Sequence, residues 1–94
     1  MLFSVRLVSH QPDSMSDTAW QEATANQLAT VKSLRDAGTI KSIYRETGVG
    51  VLAIFDVSDP QQMDQELRGL PMFRYFESIT VHALWDMAPA LEDA

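Results

Sequence analysis

The spacing of apolar residues along this chain changes in a fixed order: alternating, helical, alternating, alternating, helical, alternating. Almost no sequence is left over. That order is the strongest constraint on the fold, because each period commits a segment to strand or helix. Leu2 to Ser9 alternates, with Phe3, Val5 and Leu7 on one face and Ser4 and Arg6 on the other. His10 to Ser14 suits a loop, since Pro12 lacks the amide proton a strand uses and Asp13 favours turns. A helix is expected from Asp17 to Ala37, where Trp20, Leu28, Val31 and Leu34 form an amphipathic stripe. Ser16, Asp17 and Thr18 each suit its N-cap, Thr18 with Gln21 matches a capping box, and Gly38 supplies its stop.

Two strands follow, Ile40 to Thr47 and Val49 to Val57, with Gly48 and Gly50 bracketing the reversal and either able to make it. The continuous run Val51 to Phe55 suits a strand covered on both faces. Ser58 can cap a second helix and pair with Gln61, while Pro60 is tolerated in the first turn. Met63 and Leu67 face inward one turn apart; Gly69 and Pro71 end the helix. Glu77 to Trp85 alternates again, with Ile79, Val81, Ala83 and Trp85 on one face and Ser78, Thr80 and His82 on the other. From Met87 onward no pattern is visible. Right-handed crossovers and adjacent antiparallel pairing turn β-α-β-β-α-β into an α+β, ferredoxin-like domain. Its four-stranded antiparallel sheet carries both helices on one face.

That arrangement leaves the other face bare, with Leu2, Val8, Leu52, Ile54 and Leu84 on it beside Ser4, Arg6 and His82. Monomers avoid exposing so large an apolar patch, so two sheets are expected to pack face to face in a homo-oligomer, a dimer or higher. The chain, 94 residues long, makes a single domain over 1–94 with a tail from about 87, and its core is thin. It has no cysteine to staple itself, which leaves oligomerisation as the common remedy and fits a reducing, cytoplasmic setting. A net charge of −6 without a Lys/Arg stripe speaks against nucleic acid, and no apolar run reaches membrane-spanning length. No basic segment followed by a long apolar one opens the chain, so no signal peptide is expected.

No Gly-rich phosphate loop, metal-ligand cluster or Ser-His-Asp order stands out. The chemistry must come from scattered polar groups. Thr24 and Gln27 fall inside the apolar arc of the first helix, where they either meet a small ligand between the layers or bond to backbone and water. Arg45 can hold a carboxylate bidentately or pair with Glu46. Tyr44 stands beside it. Arg6 lies on a strand expected to be central, and so needs an anionic partner: Glu46, Asp56, another subunit or a ligand. His82 on the last strand and His10 at the end of the first can shuttle protons or serve as interface and loop residues. Phe73, with Met72, Tyr75 and Phe76, forms either a pocket wall or a plug between helix and strand.

Three segments in register, Met1-Leu2-Phe3-Ser4-Val5-Arg6, Phe55-Asp56-Val57 and Gly69-Leu70-Pro71-Met72-Phe73-Arg74-Tyr75, resemble the muconolactone isomerase family across nearly the whole chain. The resemblance implies the same ferredoxin-like fold and large ring-like homo-oligomers, up to a decamer. It also implies a cofactor-free 1,3-proton shift within a small carboxylated lactone. Such a shift needs a base over the acidic C–H, a donor for the developing enolate and a cation for the carboxylate. Arg45 matches an Arg of the family, which implies carboxylate binding. At Thr24 and Gln27 the family carries Lys and Glu, and an amide is a far weaker base than a carboxylate. The hairpin after Gly48 is shorter than the family's, and Trp85-Asp86-Met87-Ala88-Pro89 replaces its His-Pro segment. Three functions remain: an isomerase-like enzyme of aromatic catabolism with His82, His10 or Tyr44 in the acid–base role, a small-molecule binder, and an oligomeric accessory subunit without a pocket.

Overall fold

The computed structural model describes every residue from Met1 to Ala94. Its elements are β1 (Leu2–Ser9), α1 (Asp17–Asp36), β2 (Ile40–Glu46), β3 (Gly50–Asp56), α2 (Pro60–Arg68), β4 (Phe76–Leu84) and a short α3 (Ala88–Glu92). The first six follow the order that the periodicity predicts. All pairings are antiparallel, in the order β2-β3-β1-β4. The fold is α+β and ferredoxin-like. β1 is central: Val5 lies opposite Ala53 on one side and Val81 on the other.

The register puts Phe3, Val5, Leu7, Ala53 and Phe55 on the helix side, where they bury against Met63 and Leu67 of α2. A slip of one residue would turn that whole set outward. Each of these side chains larger than Ala53 contributes roughly 1.5–3 kcal/mol on leaving water. α1 adds less to this core. Val31 and Leu34 are only partly buried against it, and Gln27 is the one buried residue in its 20-residue length. Leu28, placed by spacing in the apolar stripe, is 63% exposed. α1 therefore stands off the sheet along part of its length.

Local chemistry explains the ends of the elements. Ser16 caps α1, its Oγ accepting from the Ala19 amide at 3.1 Å, so the Thr18–Gln21 box is not used. α2 is capped by Asp59, whose Oδ1 accepts from the Gln62 amide at 2.8 Å. Gln62 Oε1 in turn accepts from the Ser58 amide at 2.7 Å. The reciprocal pair thus sits one residue later than Ser58–Gln61. At the β2–β3 reversal Gly48 takes the left-handed conformation, φ +77°, and makes the turn. Gly50 has a different reason to be glycine: a Cβ there would run into the Leu7 carbonyl oxygen.

Two features depart from the periodicity. The tail forms α3, with Pro89 in its first turn and Asp86 Oδ1 accepting from the Ala88 amide at 2.8 Å. Five residues make too few turns to show a period. Arg6, on the central strand, is exposed, because its side chain alternates with the buried Val5 and Leu7 and so lies on the sheet face opposite the helices. Every residue from Val81 to Ala94 is exposed as well. No helix is long and apolar enough to cross a membrane.

Candidate functional site

The stand-off of α1 opens a cavity of about 330 Å³ between that helix and the sheet. Such a volume lies at the small end of ligand sites. Trp20, Thr24, Gln27 and Val31 form its helix wall, and Leu7, Ile43, Val51 and Phe55 form its floor. Met72 and Phe76 close one end. Of 17 lining residues, 12 are hydrophobic; the polar side chains are Ser9, Thr24, Gln27 and Arg45. Arg45 is the only charged one. It is exposed at the rim, and no carboxylate pairs with it. No carboxylate or imidazole lines the cavity.

Each polar group is held in a definable way. Thr24 Oγ1 donates to the Trp20 carbonyl at 2.9 Å, which commits its proton and leaves lone pairs as acceptors. Gln27, 8% exposed, accepts at Oε1 from the Met72 amide at 3.1 Å, tying α1 to the segment after α2. Trp20 meets Tyr75 edge to face, with ring centroids 5.9 Å apart, which fixes the end wall.

The structure therefore brings Thr24, Gln27 and Arg45 into one cavity. It places the other sequence candidates elsewhere. Tyr44 alternates with Ile43 and Arg45, so it points to the open face of the sheet and is 61% exposed. His82, opposite Ser4, shares that face and is exposed. Arg6 is there too, in a bidentate pair with Glu46: Nε to Oε1 at 2.6 Å and a terminal nitrogen to Oε2 at 3.0 Å. The hydrogen bond from Arg6, aided by its charge, holds the Glu46 carboxyl below the usual range, while desolvation opposes the shift. The same bond raises the Arg6 guanidinium. Phe73 lies outside the cavity wall, with the Arg68 guanidinium 5.7 Å from its ring centroid. His10 lies in a shallow depression with Pro12, Arg74, Tyr75, Phe76 and Glu77, and Phe76 is shared with the cavity.

Sequence reasoning passed over two contributors. Ser9 continues the inward phase of Phe3, Val5 and Leu7, so the alternation marked it. The Met72 amide, which orients Gln27 from 45 residues away, left no signal in the sequence.

A profile described as muconolactone delta-isomerase matches residues 1–88. The muconolactone delta-isomerase of Acinetobacter baylyi is 34% identical over 85 residues, covering 89% of this chain and 88% of that protein. That of Cupriavidus pinatubonensis is 30% identical over 78 residues, covering 82% and 85%. A crystal structure of muconolactone isomerase shares the fold with a TM-score of 0.83 and 26% identity, over 92% of this chain and 90% of that one. A 5-chloro-2-hydroxyhydroquinone dehydrochlorinase from Burkholderia phenoliruptrix, solved with 2,5-dihydroxybenzoquinone, aligns at a TM-score of 0.72. It is 17% identical, over 96% of this chain and 98% of that one, which is a likeness of fold alone.

Proposed function

Because the chain belongs to the muconolactone delta-isomerase family, we propose that it is an isomerase of small-molecule catabolism, acting on a carboxylated lactone in the cavity beneath α1. One observation carries the reading: a small, mostly apolar cavity has a single charged lining residue, the unpaired cation Arg45. An apolar ring fits the interior. Its carboxylate meets the guanidinium fork of Arg45 at the rim, where two parallel hydrogen bonds fix its orientation. The double-bond shift removes a proton from one ring carbon, places charge on the carbonyl oxygen, and returns a proton at the far end of the allylic system. Thr24 and Ser9 help position the ring.

The proton acceptor is the part that the cavity wall itself lacks. We assign it to His10, which follows the lining residue Ser9 and lies in a depression sharing the Phe76 wall. An imidazole can both take and return the proton. Tyr44, His82 and Arg6 are assigned to the open face rather than to chemistry. That face is proposed to lie against a second copy of the chain, since Leu2, Val8, Leu52 and Ile54 on it are only half-buried in their own protomer.

The test is isomerisation of muconolactone followed by ultraviolet absorbance. Wild type turns it over. His10→Gln loses about 100-fold in kcat with little change in KM, whereas Arg45→Met mainly raises KM. Wild type that binds the lactone without converting it would leave a binding protein on this scaffold, and full activity in His10→Gln would remove that residue from the chemistry.

A further inference from the structure

We propose that Gln27 is a specificity-determining residue whose amide nitrogen donates a hydrogen bond to a ring carbonyl oxygen of the ligand. The assignment rests on the reading of the cavity as a lactone site and names the group that recognises the ring. The Met72 amide can only donate, so the Gln27 atom facing it at 3.1 Å is the amide oxygen. This fixes the orientation of the carboxamide without ambiguity and directs Nε2 away from Met72. Nε2 has no hydrogen-bond partner in the protein, although the residue is only 8% exposed. No fully buried side-chain nitrogen or oxygen lacks a partner, so Nε2 keeps accessible surface, and the cavity that Gln27 lines is the space we assign it to face.

Water serves this accessible donor in the free protein; a ligand that displaces the water without offering an oxygen leaves the donor unpaired, whereas a ring carbonyl takes over the bond. Arg45 takes the carboxylate. Gln27 therefore serves a second oxygen on the ring, and as a donor it also favours the charge that develops there during enolisation. It cannot act as the base. The site selects small monocarboxylates carrying a ring carbonyl over equally apolar rings without one.

The experiment compares two ligands that cannot be isomerised: the saturated carboxymethyl γ-lactone and cyclopentylacetate, which keeps the ring and carboxylate but has no carbonyl. Calorimetric titration of wild type is expected to favour the lactone by about tenfold. Gln27→Leu brings the two affinities to within about twofold, chiefly by weakening the lactone. Gln27→Glu keeps an acceptor for the Met72 amide, and hence the fold, but puts lone pairs where the donor was; it binds the lactone less well than cyclopentylacetate. Circular dichroism melts confirm that both variants are folded. The assignment is overturned if Gln27→Leu or Gln27→Glu keeps the wild-type preference, or if wild type shows none. Muconolactone turnover by wild type separates the two ideas. Turnover without ligand preference sinks the Gln27 assignment alone, and preference without turnover sinks the isomerase reading alone.

Discussion

Single residues at the β2–β3 reversal separate two physical reasons for glycine. Gly48 needs its left-handed backbone, so Gly48→Ala costs roughly 1–2 kcal/mol from the Cβ–carbonyl crowding of that conformation. Gly50 has no such backbone demand, but a methyl there meets the Leu7 carbonyl of the central strand, which cannot move without disturbing two ladders. Gly50→Ala is therefore expected to cost more than Gly48→Ala, at least about 2 kcal/mol by urea denaturation. Equal losses would mean that β1 and β3 part easily at this point. Glu46 supplies the pH dependence at this scale. Its carboxyl titrates lower in the folded chain than in the unfolded one, mainly through the hydrogen bond from Arg6. The stabilisation is present above the unfolded carboxylate range, about 4.3, and disappears as pH falls through the depressed folded value. Urea midpoints of wild type and Glu46→Gln should differ by a constant amount above about pH 6 and converge in acid.

At the scale of elements, the caps show where sequence is informative and where it stops. The two longer helices, α1 and α2, were legible from period and end chemistry, yet the α2 cap sits at Asp59 rather than Ser58. The reason is geometric: Asp59 reaches the Gln62 amide while Pro60 occupies the first helical position. Asp59→Ala should cost about 1 kcal/mol and Ser58→Ala only a few tenths, as read from thermal melts. The reverse order would restore the earlier cap. The inward phase of Thr24 and Gln27 was equally legible, because a helical period fixes which face each residue occupies. What the period could not reveal is how far α1 stands from the sheet. That distance depends on long-range contacts such as Gln27 to Met72, and it decides whether the inward polar residues meet a wall or a cavity. For the same reason Arg45 emerged as a cavity residue and Tyr44, its neighbour, did not: strand alternation separates them, and only the placement of α1 tells which face holds the site.

For the whole molecule, the open sheet face is the surface on which a second copy is proposed to sit. Four strands of seven to nine residues present a rectangle of about 19 by 26 Å, roughly 500 Å² in projection. A stable interface takes about 800 Å² from each partner. The tail adds exposed apolar groups of its own: Trp85 is 72% exposed, Met87 53% and Leu91 66%, all beyond the last strand. A second copy is proposed to cover the sheet face and to take in these tail groups, and the Arg6–Glu46 pair on that face is already neutralised, which lowers the cost of covering it. Light scattering at micromolar concentration should then give at least twice the protomer mass of 10.5 kDa. Ile54→Glu, on the sheet, places an unpaired carboxylate at the centre of that surface and should yield protomers. Trp85→Ser, on the tail, removes area without adding charge and should weaken association while leaving it measurable. Because only the assembled form gains from mass action, the melting temperature of wild type should rise with protein concentration and that of Ile54→Glu should not. A wild-type chain that scatters as a protomer, with a concentration-independent melt, would mean that these aliphatic groups face water in the working protein.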